Sequence, residues 1–319
     1  MNIYADGINI TSVVGNLSWQ NTIAELATTM SFEIAKSDAQ HTSIYLPHEG
    51  SIIQMYTNDE IFRGIVLTVD DGSKTSNQYT VCDFGWYLNK SKETYQFNAM
   101  PAHKAIRKVC SDFNIDIDSI PALETKITKI YFDKTISEIL QDILEFCTQG
   151  ADPGGGYNLD VTPKGLRIYK IGSIYAYPEF RLSPNTQLIY SPLLRGNTSH
   201  SVSIEDMKNS VKVITEKEGN YSVKATLKDD SLISKYGLLQ EIVKIDPEKE
   251  NPNNVAKQKL SELSKTKETF SFEIIEAIDS YTRAGYVITV DGSEYIVEGS
   301  GHSIKNGIHY VKMDLRKFA

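Results

Sequence analysis

Residues 29–35 read TMSFEIA, and far along the chain residues 269–275 read TFSFEII. Both segments carry Phe and Ile at alternate positions, which is typical of a β-strand with one buried face. The shared tetrapeptide Ser-Phe-Glu-Ile occupies residues 31–34 in the first copy and residues 271–274 in the second. A tetrapeptide alone is weak evidence of a repeat, so the residues that follow each copy carry the argument.

The downstream residues repeat one series in the same order. A glycine opens a strand, Gly50 in the first copy and Gly285 in the second, and another glycine follows at the same separation, Gly64 or Gly299. A further β segment closes each copy, YTVCDF in one and IHYVKMDL in the other. An ordered series of this kind indicates a duplicated supersecondary unit. The sequence therefore predicts two similar tube-like β-barrels.

Residues 1–95 are predicted to form the N-terminal barrel, because short alternating runs are separated by turn residues such as Asp6-Gly7. The period changes over residues 96–173, where apolar residues recur at helical spacing. Thr135 and Glu138 have capping-box spacing before a second apolar stripe, and a hairpin then closes the segment. We expect a small α/β module here.

Residues 174–200 contain three prolines and little periodicity, so they are predicted to cross over between domains. Strand patterns resume in residues 201–319, with a helix predicted near residues 254–264. We expect this segment to be a second β-barrel with an inserted helix. The predicted fold class is mainly β with an α+β insert.

Composition excludes several classes of protein. The 319 residues are 40% hydrophobic and 23% charged, which is typical of globular domains and not of disordered chains. A net charge of -8 argues against duplex binding, and no apolar run reaches the length of a membrane span. The start of the chain does not have the pattern of an export signal. Cys82, Cys110 and Cys147 are widely spaced and are expected to be reduced core thiols.

The motifs that could carry chemistry are weak, and we predict no catalytic, cofactor-binding or metal-binding residues. The glycine-rich residues 152–156 lack the Gly-Lys-Ser/Thr of a phosphate loop. His302 and His309 have no carboxylate at metal-ligand spacing, so both are expected to be structural. The acidic pairs are expected to be solvated turn and edge charges, not a hydrolase dyad. These pairs are Asp116 with Asp118, and Glu205 with Asp206.

The chain resembles the baseplate hub proteins of contractile phage tails, in particular the XkdQ/YqbQ-type proteins of defective prophages. The resemblance covers nearly the whole chain. It is carried by NLSWQNTIAELATTMSFEIA, by FRGIVLTV with YTVCDFGWYLNKS after it, and by the closing segment AGYVITVDGSEYIVEGSGHSIKNGIHYVKMDL. None of these segments is a catalytic signature.

The resemblance implies a structural hub subunit, not an enzyme, that forms a homotrimeric ring between a six-fold tail tube and a three-fold central spike. It implies as partners the tail tube protein, the spike protein, other baseplate subunits and the tape measure protein. The particle, a phage or a headless bacteriocin, would be assembled in the bacterial host cytoplasm. The resemblance also implies that residues 96–173 are LysM-like. The alternative is a cell-wall module whose middle domain binds peptidoglycan.

Overall fold

The computed structural model describes residues 1–36, 44–72, 75–148, 156–176, 199–217, 219–245, 251–275 and 282–318. The chain divides into two units. The first comprises Met1–Ser199 together with Ser271–Ala319, and the second comprises His200–Phe270. The predicted crossover, residues 174–200, lies largely outside the described residues.

The N-terminal part of the first unit is built from strands around one apolar core. Phe32, Ile53, Val66 and Val81, from four different strands, are all buried in this core. The chain turns between the first two strands at Asp6 and Gly7, which both have positive φ, as predicted for a tight hairpin. The elements are β1 (Asn2–Ala5), β2 (Ile8–Asn9), a 3₁₀ turn (Thr11–Val13), β3 (Val14–Thr22), β4 (Thr29–Ala35), β5 (Ile52–Tyr56), β6 (Glu60–Asp70) and β7 (Ser76–Asp83).

The middle part of the first unit combines helices and strands around a second apolar core. Thr135 and Glu138 form the predicted capping box, because each side chain accepts from the backbone N–H of the other. Cys110 and Cys147 are buried on the apolar faces of two helices, as expected. The elements are α1 (Gly85–Lys90), β8 (Lys92–Pro101), α2 (Ala102–Asp112), β9 (Ile117–Ser119), β10 (Lys126–Thr135), α3 (Ile136–Thr148), β11 (Tyr157–Thr162) and β12 (Gly165–Lys170).

The second unit has its own small core, formed where α5 packs on a three-stranded sheet of order β15-β14-β16. Val211, Val213 and Ala256 are buried there. Its elements are β13 (Ser199–Ser203), β14 (Ser210–Lys217), β15 (Asn220–Lys228), α4 (Asp230–Tyr236), β16 (Gln240–Lys244) and α5 (Pro252–Leu263). The last strands of the chain are β17 (Lys267–Ile275), β18 (Val287–Val290), β19 (Ser293–Lys305) and β20 (Ile308–Lys317).

Residues 201–319, which were predicted to form one domain, are divided between the two units. The inserted part is not a single helix. It is an α/β unit of about seventy residues, His200–Phe270, that contains three paired strands and two helices. A three-stranded sheet covered by a helix buries enough apolar surface to form a separate core, which explains why it is a unit by itself.

The predicted repeat appears in the strand order. The first Ser-Phe-Glu-Ile strand, β4, leads the path β4-β7-β6-β5, and the second, β17, leads the path β17-β20-β19-β18. Gly50 and Gly285 are equivalent, since both have φ of +89°. The backbone N–H of each also donates to the carbonyl of a valine in the third strand of its own copy. These acceptors are Val66 at 2.9 Å and Val297 at 2.8 Å.

The second pair of matched glycines is not equivalent. Gly64 lies opposite Ile53 in β5, whereas Gly299 lies opposite Thr22 in β3. A Cβ at Gly64 would collide with the backbone carbonyl of Cys82, while one at Gly299 would meet only ordinary contacts. Their equal separation in sequence is therefore a coincidence, because the hairpin joining the second and third strands differs in length between the two copies.

The predicted closed barrels are not present among the described strands. The edge of β3 that could close the first copy pairs instead with β19 of the second copy. One path therefore continues through both copies, in the order β17-β20-β19-β3-β4-β7-β6-β5-β1-β2. Pairing with β19 satisfies the backbone groups of the β3 edge without barrel closure.

Candidate functional site: the seam between the two repeats

The two copies meet at a strand pairing that we call the seam, formed by residues 18–22 of β3 and residues 299–303 of β19. The two segments are antiparallel and five residue pairs long, from Gly299 opposite Thr22 to Ser303 opposite Ser18. The pairing is extended by the N–H of Ile23, which donates to the Glu298 carbonyl at 2.8 Å. Backbone hydrogen bonds thus join segments that are almost the whole chain apart.

Three rings stack across the seam. Trp19 of β3 lies parallel to His302 of β19, with ring centroids 4.8 Å apart and planes inclined by 4°. Trp19 also stacks on His309 of β20, with centroids 5.3 Å apart. All three side chains are buried. Both histidines noted in the sequence therefore lie in the core, where they pack against a tryptophan from the other copy.

Hydrogen bonds hold the His302 ring in place. Its Nδ1 is 3.0 Å from Nε2 of His309, and its Nε2 is 2.9 Å from the carbonyl oxygen of Thr282. Burial lowers the pKa of His302 well below its usual range, and the adjacent His309 lowers it further, while the Thr282 carbonyl opposes this shift. The imidazole is therefore neutral near pH 7, because protonating it would place a charge in the core.

A buried ion cluster links the C-terminal segment to the middle module. Asp160 of β11 accepts from Nη2 of Arg283 at 2.7 Å through one carboxylate oxygen. Its other oxygen accepts from Nη2 of Arg167 at 2.5 Å. The Asp160 side chain is 8% exposed and that of Arg283 is 6% exposed. Each oxygen of this buried carboxylate therefore accepts a hydrogen bond from a different arginine.

Arg283 and Asp83 connect this cluster to the N-terminal strands. Arg283 donates to the Thr28 hydroxyl at 3.3 Å, and the backbone N–H of Thr28 donates to the Asp83 carboxylate at 2.8 Å. Burial raises the pKa of Asp83 to about 7, although the Thr28 N–H and the charge of Arg283 partly oppose the shift. A buried polar chain therefore joins the N-terminal strands, the middle module and the C-terminal segment.

His302 is expected to make the fold less stable in acid. Its pKa is lower in the folded chain than in the unfolded chain, where it is about 6.5, so the unfolded chain binds the extra proton first. The free energy of unfolding is therefore expected to fall below about pH 6.5, by up to about 1.4 kcal/mol for each pH unit. Urea denaturation of the wild type and of His302→Gln at several pH values measures this slope.

Protonation of Asp83 changes the free energy of unfolding in the opposite direction to protonation of His302, so Asp83 provides the control. Its pKa is about 7 in the folded chain and about 3.9 in the unfolded chain, so acidification between these values favours the folded state. Asp83→Asn is therefore expected to lose more stability on acidification than the wild type, and His302→Gln less. Equal slopes in all three proteins would contradict both assignments.

The remaining acidic residues noted in the sequence are not brought into a site. Asp116 and Asp118 are both exposed at the start of β9, where the Asp118 carboxylate accepts from the Thr162 hydroxyl at 3.0 Å. Glu205 and Asp206 are exposed after β13. These positions fit the expected edge and turn charges.

Metal-holding clusters and membrane-spanning helices are both absent from the described ranges. No group of three or more His, Cys, Asp or Glu side chains there could hold a metal ion. No described helix is long and apolar enough to cross a membrane. Residues 152–155 of the glycine-rich stretch lie outside the described residues, so the prediction made for that stretch stays a prediction.

The sequence offered no signal for the residues of the ion cluster or for the ring stack at the seam. Arg283 and Asp160 are 123 positions apart, and each lies in a segment with an ordinary β pattern. Trp19 is one of two tryptophans, and no motif in the sequence marks it. Only the period-two alternation around Trp19 and His302 could have indicated that both side chains face a core.

The fold is shared with phage-tail proteins of known structure. The tail protein from Neisseria meningitidis MC58 superposes with a TM-score of 0.70 at 14% identity, covering 99% of this chain and 95% of that chain. The 43 kDa tail protein of prophage MuSo2 from Shewanella oneidensis gives 0.69 at 14% identity, covering 98% and 96%. The E. coli c3393 protein, a component of the type VI secretion system, gives 0.55 at 10% identity, covering 99% and 77%.

Sequence comparison identifies the family within this fold class. The YqbQ-like family model matches residues 17–316, and the chain therefore belongs to the YqbQ-like family. YqbQ of Bacillus subtilis strain 168 is 26% identical over 288 residues, which is 86% of this chain and 83% of that protein. The phage-like element PBSX protein XkdQ of the same strain is 28% identical over 203 residues, 61% of this chain and 57% of that protein. The resemblance stated from the sequence is confirmed.

Proposed function

We propose that this protein is a structural baseplate hub subunit of a contractile tail, forming a trimeric ring that joins the six-fold tail tube to the three-fold central spike. Its partners are further copies of itself, the tail tube protein, the spike protein, other baseplate subunits and the tape measure protein. It acts in a phage or phage-tail-like particle that is assembled in the host cytoplasm. Its role is mechanical and not catalytic.

The observation that carries this proposal is the duplicated strand order. Each chain contains the same four-strand path twice, led by β4 and by β17. A ring of three such chains presents six similar strand units, which can face six tube subunits while the whole ring keeps three-fold symmetry. A single copy per chain would present only three.

The seam supports the same role. Its five residue pairs and the stack of Trp19 on His302 join the two copies within one covalent chain. An adaptor needs this rigidity, because a bistable or loose junction would let the two copies lose the spacing that a six-fold partner requires. The likeness to phage-tail structures in fold and the relationship to XkdQ are consistent with this function.

The mass of the purified protein in solution tests the proposal. Light scattering across a range of concentrations is expected to give three times the mass of the 35.8 kDa chain for the protein alone, and a heavier complex with three copies of this chain when the spike protein is added. Negative-stain images of that species are expected to show a ring with three-fold symmetry and six similar lobes. A monomer at every concentration, with and without the spike protein, would contradict the hub.

A further inference from the structure

The three-stranded sheet of the second unit carries apolar side chains on both of its faces. One face packs against α5, where Val211 and Val213 of β14 are buried with Ala256 of the helix. Side chains alternate between faces along a strand, so the residues between these positions lie on the opposite side, which we call the outer face. The outer face comprises Lys212, Ile214 and Glu216 of β14, Tyr221, Val223, Thr226 and Lys228 of β15, and Ile242 and Lys244 of β16.

The apolar side chains of the outer face are neighbours. Ile214 lies opposite Val223 in the pairing of β14 with β15. Tyr221 and Ile242 lie diagonally beside Ile214, because their direct partners are the residues two positions away from it in β14. Tyr221 is 64% exposed, Val223 56% and Ile242 54%, while Ile214 is half-buried. These four residues form one exposed apolar patch.

A sheet face that remains in water is normally polar. Antiparallel sheets with one solvated face carry polar residues on that face, and all-parallel sheets are covered on both faces. This sheet contains one antiparallel and one parallel pairing, and its outer face does not follow the solvated pattern. Contiguous exposed apolar residues with a charged rim are typical of interaction sites. The outer face therefore has the composition of a face that another element covers.

The charges around the apolar patch are mainly positive. Lys212, Lys228 and Lys244 lie on the outer face, where Glu216 is the single carboxylate among the described strand positions. Lys244 pairs with Glu216, and its ammonium lies 6.0 Å from the centroid of the Tyr221 ring. The outer face is thus locally basic on a chain of net charge -8. Electrostatic complementarity favours a partner that brings carboxylates to this rim.

Two other occupants match the outer face less well. A nucleic-acid backbone would pair with the lysines but would leave Val223 and Ile242 without apolar contacts. The same face of a second copy would place lysines against lysines, which like-charge repulsion disfavours. A helix with one apolar stripe can cover the patch in the way that α5 covers the other face, which gives the common arrangement of helices on both sides of a sheet.

We propose that an amphipathic helix of a partner protein packs on the outer face. Its apolar stripe covers Ile214, Val223 and Ile242, and Asp or Glu residues beside the stripe lie near Lys212 and Lys244. The inference goes beyond the proposed function, because it depends on the second unit alone and not on the symmetry of a ring.

A pair of synthetic peptides tests the chemistry of this partner. The first is about eighteen residues long, which is sufficient for a helix in water, and has a leucine stripe flanked by glutamates. The second has lysine in place of every glutamate and is the matched control. Fluorescence anisotropy with the full chain is expected to show at least about tenfold tighter binding of the glutamate peptide at low salt. Added salt is expected to reduce this preference, because it screens exposed charges.

Substitutions on the outer face show where the glutamate peptide binds. Ile242→Asp places a carboxylate in the apolar patch and is expected to weaken binding at least about tenfold. Ile308→Asp is the matched control, because Ile308 is 41% exposed at the start of β20, and it is expected to leave binding unchanged. Lys244→Glu leaves the apolar patch intact and is expected to reduce the preference for the glutamate peptide. Circular dichroism checks that each variant is folded.

Equal binding of the two peptides, or unchanged binding by a folded Ile242→Asp variant, would overturn the inference. Binding of a labelled DNA duplex that is lost in Lys244→Glu, without binding of the glutamate peptide, would assign the outer face to nucleic acid instead. Loss of self-association in Ile242→Asp by light scattering would assign it to a contact between copies. A trimeric wild type that does not bind the glutamate peptide would exclude the helix and leave the hub function standing.

Discussion

Replacing Asp160 by alanine is expected to lower the free energy of unfolding by about 3–5 kcal/mol, because removing one partner of a buried ion cluster leaves the other charges uncompensated. Arg283 and Arg167 both donate to this carboxylate, and both are largely shielded from solvent. Most of this loss in the free energy of unfolding comes from the arginine charges left buried without a partner, and less comes from the removed contact itself. Urea denaturation followed by circular dichroism measures it.

Two further variants separate this effect from a general effect of mutation. Lys92→Ala removes an exposed ion pair with Asp133 and is expected to cost about 0–1 kcal/mol. Asp160→Leu combined with Arg283→Met removes the most buried charge pair and is expected to be less destabilising than Asp160→Ala. A loss below about 1 kcal/mol for Asp160→Ala would show that the cluster does not support the fold.

Replacing Trp19 by alanine is expected to cost about 3–5 kcal/mol, since a fully buried aromatic side chain leaves a cavity that the surrounding strands fill only in part. The effect should exceed that of an ordinary core residue, because Trp19 stacks on both His302 and His309. The expected consequence is a weakened seam between the two copies. Thermal unfolding followed by calorimetry gives the change.

Trp86→Ala is the matched control for this variant. Trp86 lies on α1 away from the seam and is only partly buried, so a smaller loss is expected. If both tryptophan variants lost the same stability, the stack at the seam would have no special importance. Light scattering on Trp19→Ala would also show whether trimer formation needs an intact seam.

The predictions made from sequence succeeded where the pattern is local. The capping box at Thr135 and Glu138 and the turn at Asp6 involve residues that are neighbours in the chain, and both appear as expected. The strands of the hairpins β11–β12 and β14–β15 also match their alternating patterns. The LysM-like character of residues 96–173 remains a prediction.

The errors arose where distant segments compete for one edge. Both predicted barrels would have closed on themselves, yet β3 pairs with β19. The second glycine match failed for a related reason, because Gly64 and Gly299 have different partners although their sequence spacing is equal. The second unit was missed because its apolar strands have the same pattern as those of the predicted barrel around them.

The sequence by itself determined the strands, the helices and the duplication of a four-strand unit, since side-chain periodicity and caps depend on neighbouring residues. Only the tertiary structure decided that the two copies share one sheet and that Arg283 meets Asp160. Every residue but proline carries the same backbone donor and acceptor. The side-chain pattern therefore does not specify which strand edges will pair with each other. That choice depends on how distant segments pack together.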